Sequence, residues 1–184
     1  MRPFVRELVR VIAETLPTSG PVYEFGSFQV PGQESIADMR PFFPDTEYIG
    51  ADARPGPGVD QIIDVQATGL PDGAAGIVLC LDTLEHVRNP IAACHEMARI
   101  TRPGGWALMT TVFAFQIHDY PADYWRFTPE CMSMLMAWYG TSAIGMRGPA
   151  NMPHTVFGLG IQVPDYDLTA VQWRVGEMVK AWQD

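Results

Sequence analysis

Lysine is almost missing from this chain of 184 residues: Lys180 stands alone against 21 acidic side chains, and the formal net charge is −9. Binding to a nucleic-acid backbone is driven by clustered Lys and Arg, so this balance argues against nucleic acid as the main partner. The arginines that supply the remaining positive charge form no sequence cluster. Cysteine is scarce too. Cys80, Cys94 and Cys131 are odd in number, lack metal-ligand spacing and have mainly apolar neighbours. They read as small packing residues in a reducing cytoplasm, with no disulfide framework. No apolar run approaches the roughly 18 to 20 residues that cross a bilayer, so no membrane partner is expected. Arg2, Arg6 and Arg10 are interrupted by Glu7 and Glu14, and no apolar signal core follows. That segment is expected to be an amphipathic helix and not a targeting peptide.

An apolar content of 47% with 18% charged residues is ordinary for a globular chain, and the length suits one domain spanning 1–184. Helical spacing of Phe4, Leu8, Val11, Ile12 and Leu16 predicts a helix over 3–16, making 1–16 an N-terminal helix. Short apolar runs predict strands at 22–25, 48–51, 61–63, 76–81 and 106–112, with two later strands near 141–147 and 155–163. Asn89-Pro90 and Thr128-Pro129 each read as a helix start, with proline suited to the first turn. Pro103-Gly104-Gly105 reads as a turn into the fifth strand. A C-terminal helix within 167–183 carries Leu168, Val171, Val175, Met178 and Trp182 on one face, to dock on the domain or on a second copy in a homodimer. The Met132, Met134, Leu135, Met136 and Trp138 cluster reads as buried helix. This alternation implies an α/β fold: a Rossmann-like doubly wound sheet, mostly parallel with a late antiparallel strand, with helices on both faces.

Four early strands end in acidic residues or a glycine loop, at Glu24, Asp52, Asp64 and Asp82. In such a sheet they share the edge where ligands bind. The first loop, Gly26-Ser27-Phe28-Gln29-Val30-Pro31-Gly32, fails the Gly-x-Gly-x-x-Gly dinucleotide fingerprint. Phe28 takes the second glycine position, and Pro31 blocks an immediate helix. A nucleotide-dependent oxidoreductase is therefore disfavoured. Asp52 sits where a carboxylate can accept from both hydroxyls of a ribose, or serve only as a turn residue.

Together, Tyr23-Glu24-Phe25-Gly26, Tyr48-Ile49-Gly50-Ala51-Asp52, Asp64-Val65, Val78 to Val87, Ile100 to Gly105 and Asp123 to Glu130 carry a resemblance. The chain resembles class I S-adenosylmethionine-dependent methyltransferases, of the small methyltransferase-domain kind, over nearly its whole length. The resemblance implies S-adenosyl-L-methionine as cofactor. Glu24 and Gly26 would border its methionine part, with Ser27 beside them in the cofactor-binding set. Asp52 would bind the ribose, Asp64 and the Val65 amide the adenine edge, and Leu81 and Asp82 would flank the methionine moiety. The expected reaction is O-methyl transfer to a small-molecule or glycan-type acceptor.

The methyl donor leaves the protein two tasks, positioning and a base for the nucleophile. His118 and His86 are the leading candidates for the catalytic base, with Asp119 and Tyr124 also in reach of the same loop. The alternatives are a histidine bonded to loop backbone at 118 and a turn cap at 86. Arg126 either binds an anionic acceptor or ties its loop to Asp123 or Glu130. Trp125 and Phe127 read as core or pocket wall, and His154 as a residue of the pocket mouth. No metal ligand set is expected. A rival reading is a non-catalytic adapter in which Phe28 fills the methionine cavity.

Overall fold

The computed structural model describes residues 2–118 and 122–182. Its seven strands are β1 (Val22–Phe25), β2 (Tyr48–Asp52), β3 (Gln61–Ile62), β4 (Ala75–Leu81), β5 (Thr101–Val112), β6 (Thr141–Arg147) and β7 (Thr155–Ile161). They form one sheet in the order β3-β2-β1-β4-β5-β7-β6. β1 to β5 pair in parallel, and β7 runs antiparallel between β5 and β6. The chain moves outward from β1 through β2 to β3, then returns to place β4 on β1's other side. That reversal opens a crevice beyond the carboxyl ends of β1 and β4.

Period-two alternation along β4 sends its side chains into two separate cores. Ile77, Leu79 and Leu81 meet Phe4, Leu8 and Ile12 of α1 (Pro3–Ala13) and the α5 helix (Thr169–Ala181), which contributes Val171 and Met178. Val78 and Cys80 meet α3 (Pro90–Ile100) and α4 (Pro129–Leu135) on the opposite face. Both predicted helix starts are capped: the Asn89 side chain accepts from Ala92 N–H and the Thr128 side chain from Cys131 N–H. Among the described residues no helix is long and apolar enough to cross a membrane.

Several local expectations need correction. α1 stops at Ala13, and the N–H groups of Thr15 and Leu16 both turn back to the Ile12 carbonyl ahead of Pro17. β3 has only two residues, both exposed. β5 begins at Thr101, and its register on β4 jumps from Ala75↔Thr101 to Ile77↔Trp106, so Pro103-Gly104-Gly105 is a bulge within the strand. Met132 and Met136 are buried as expected, but Met134 and Trp138 point to solvent on the other side of the helical turn. Trp125 is exposed, with its indole N–H tied to the Val87 carbonyl, whereas Phe127 is core.

Helical cover is thin at the β3 edge. Only α2 (Glu34–Ala37) and a 3₁₀ turn (Arg40–Phe42) lie between β1 and β2. The segment 53–60, with Pro55, Gly56, Pro57 and Gly58, is too short for a crossover helix, which takes about a dozen residues. The carboxyl ends of β1 and β2 are thus left open to one large cavity.

Candidate functional site

The cavity at the sheet's carboxyl edge has a volume of about 670 Å³, within the range of roughly 300–1,000 Å³ usual for small-molecule sites. All eight cofactor-set residues expected from sequence line it, as do His86 and His118. The site has two ends, built in different ways.

At one end, strand termini supply the walls. Gly26 directly follows β1 with φ +80°, and a Cβ there would lie 2.0 Å from Thr83 Oγ1. Both facts require glycine: L side chains rarely adopt that backbone, and Thr83 leaves no room. The neighbouring Ser27 is buried, and its hydroxyl has no hydrogen-bond partner among the described residues. Glu24 is buried and accepts from the Tyr48 hydroxyl at 2.6 Å. Burial pushes its carboxyl up to about 7, against the pull of that hydroxyl. Asp52 is buried at the end of β2 and accepts from Arg54 N–H at 3.0 Å. Asp64 is exposed and accepts from both the backbone and the side-chain amide of Gln66, while Val65 is buried. Phe28 does not fill this end. Its ring lies on the wall beside Gly56, under the Arg54 guanidinium at 4.8 Å.

Asp82 has a partner that sequence reasoning missed. Arg2 grips it with Nε at 2.9 Å and Nη2 at 2.6 Å, and also donates to Thr155 Oγ1. Thr110 donates its hydroxyl to the same carboxylate at 2.8 Å. Asp82 itself has φ +48°, an uncommon backbone for a residue other than glycine that clusters at functional sites. The 80-residue separation of Arg2 and Asp82 hid this pair, because nothing local links them.

At the other end, loops supply the walls. The 3₁₀ turn Leu84–His86 follows β4 and carries Glu85 inward. Glu85 is fully buried, and neither carboxylate oxygen has a partner among the described residues. Burial first, and then the charge of Asp82, push it up to about 8. His86 is half-buried, and its Nδ1 lies 2.8 Å from the Ala122 carbonyl. Burial lowers its pKa and so favours the neutral ring. His118 packs edge-on against His86 with ring centroids 4.7 Å apart, and its Nδ1 lies 3.0 Å from Asp123 Oδ2. Asp123 also accepts from His118 N–H and from both Nη atoms of Arg126, which hold its carboxyl well below the usual range. Arg126 therefore ties its loop together and is not free for an acceptor. Exposed Tyr124 lines the cavity and is fixed through its N–H to the Glu85 carbonyl. Asp119 lies outside the described residues. His154 is exposed and is not part of the cavity lining; its carbonyl instead accepts from Arg2.

The strand order and the crevice define an S-adenosylmethionine-dependent methyltransferase fold. Solved structures sharing it include a SAM-dependent methyltransferase from Aquifex aeolicus, with TM-score 0.57 and 11% identity over 87% of this chain and 93% of that one. Another is phosphoethanolamine N-methyltransferase 2 of Haemonchus contortus in complex with S-adenosyl-L-methionine, with TM-score 0.62 and 9% identity over 86% of this chain and 52% of that one. A protein of Mycobacterium sp. (strain JLS) bearing the name "Uncharacterized methyltransferase" is 31% identical over 116 residues, 58% of this chain and 44% of the relative. The chain thus spans less than half the length of that curated relative. A family model for a methyltransferase domain matches residues 1–140, and the chain belongs to that family.

Proposed function

We propose that this chain transfers a methyl group from S-adenosyl-L-methionine to a hydroxyl oxygen of a small-molecule or glycan-type acceptor. The observation that carries the reading is the division of one cavity into an acidic strand-end half and an imidazole-bearing loop half. The residues fit the donor. The unpartnered Ser27 hydroxyl and the close backbone at Gly26 suit its amino-acid end, beside Leu81. Asp52 suits the ribose hydroxyls, and Asp64 with the Val65 amide suits the adenine edge. Acidic walls attract a cationic donor. When bound, the donor supplies an electrophilic methyl group on a sulfonium.

The remaining work falls to the loop half. The His118 Nδ1 faces the Gln116 carbonyl at 3.3 Å and Asp123 Oδ2 at 3.0 Å, both acceptors, which leaves the Nε2 lone pair to accept a hydroxyl proton. Asp123, pinned by Arg126, holds the His118 loop through its bond from the His118 N–H. The test is incubation with methyl-labelled donor and a panel of hydroxylated small molecules and oligosaccharides, with products identified by NMR. A methyl ether is expected. Label only on nitrogen or carbon would overturn the oxygen assignment.

A further inference from the structure

A single proton acceptor needs one imidazole, yet the loop half presents two beside a buried carboxylate. We propose that Glu85, His86 and His118 form a binding site for one divalent transition-metal ion, such as Zn²⁺. One ligand atom from each residue lies within 4.8 Å of the other two. Ligands on a shared ion at about 2.0–2.2 Å stand roughly 3–3.5 Å apart, so small side-chain rotations close the set.

Three independent features point the same way. Both Glu85 oxygens are buried without a partner among the described residues, which is costly for a carboxyl group unless something else satisfies it. The Nδ1 atoms of both histidines already have acceptors, the Ala122 carbonyl for His86 and the Gln116 carbonyl for His118, with Asp123 Oδ2 3.0 Å from the latter. This fixes each ring with its Nε2 lone pair free, and a carboxylate or carbonyl behind the imidazole is the usual support of a metal-bound histidine. Finally, all three residues line the cavity, so the ion would keep open positions toward it. Two imidazoles and one carboxylate with open positions suit a zinc-type catalytic centre.

The role in catalysis rests on the methyl-transfer reading; the metal site itself does not. An ion here would hold the acceptor oxygen, favouring acceptors with two adjacent oxygens that can chelate it. In the metal-loaded site His118 would be a ligand and no longer the base; the ion would lower the pKa of the acceptor hydroxyl, whose proton would pass to water in the open cavity.

The full chain, stripped with chelator, is titrated with Co²⁺ by visible absorption and with Zn²⁺ by calorimetry. One ion per chain is expected, with d–d bands typical of low coordination number. Glu85→Gln and His118→Ala are each expected to weaken binding at least tenfold, while Cys131→Ser leaves it unchanged. S-adenosylhomocysteine affinity, measured in parallel, should stay within about twofold in both ligand variants, which also reports their folding. If Glu85→Gln does not fold, His86→Ala serves in its place. Absence of stoichiometric binding to folded protein, or equal binding by the ligand variants, overturns the proposal. Metal binding without S-adenosylhomocysteine binding would leave the metal site standing and remove the donor reading.

Discussion

The two halves of the cavity differ in how their chemistry is held. In the strand-end half each functional group is fixed by its own element: Gly26 by β1, Asp52 by β2, Leu81 by β4. In the loop half, Glu85 and His86 follow β4, whereas His118, Asp123 and Arg126 belong to the long connection after β5. Cross-links between loops hold it together, such as Tyr124 N–H to the Glu85 carbonyl and Trp125 to the Val87 carbonyl. A rigid edge thus faces a loop cluster whose polar groups depend on one another. The first arrangement suits a fixed ligand, and the second suits chemistry that differs among proteins sharing the sheet.

The largest expected effect separates the halves directly. His118→Ala should lower turnover by about a hundredfold or more while leaving S-adenosylhomocysteine affinity nearly unchanged, as expected when a group acts on the acceptor alone. Steady-state kinetics beside calorimetry reads both quantities, and equal loss of each would make the histidine structural. In the strand-end half, Gly26→Ala should do the reverse. The disfavoured backbone and the collision with Thr83 together cost about 4 kcal/mol of stability by denaturant unfolding, with donor affinity lost in what remains folded.

A pH experiment sharpens the contrast at Glu24. Its carboxyl is raised from the ordinary 4.5 to about 7 in the folded chain. Folding therefore favours its protonated form, and that contribution is full below pH 4.5 and lost as pH rises through about 7. The loss amounts to up to about 3 kcal/mol. Glu24→Gln cannot ionise, so its stability relative to the wild type should rise across this window; parallel curves from thermal unfolding at each pH would contradict the assignment. The smallest effect is expected at Arg2→Ala, which leaves Asp82 without its cation at the boundary between the halves. A loss of about 2 kcal/mol is expected by urea unfolding, and suppression of it by the double change with Asp82→Asn would confirm that the pair is coupled.

The same contrast explains what the sequence made legible. An apolar strand followed by an acidic residue is a local signal, so β1, β2, β4 and the positions of Glu24, Asp52 and Asp82 could be read directly. Thr128 and Asn89 announced their helices for the same reason. The loop half left weaker traces. Glu85 stood in plain sight between Leu84 and His86, but its burial depends on distant residues such as Tyr124, whose N–H reaches the Glu85 carbonyl. Arg2 was visible only as one charge on an N-terminal helix, because its pairing with Asp82 is set by how α1 docks on the sheet. The bulge at Pro103-Gly104-Gly105 looked like a turn because proline and glycine mark both, and only the shifted β4 register distinguishes them.

The catalytic role proposed for the loop half requires that the strand-end half bind the donor. Calorimetric titration of the folded chain with S-adenosylhomocysteine tests this most directly. One bound molecule per chain is predicted, with affinity reduced at least tenfold by Asp52→Ala and raised melting temperature on saturation. A folded sample that gives neither heat nor a melting shift up to millimolar ligand would contradict it.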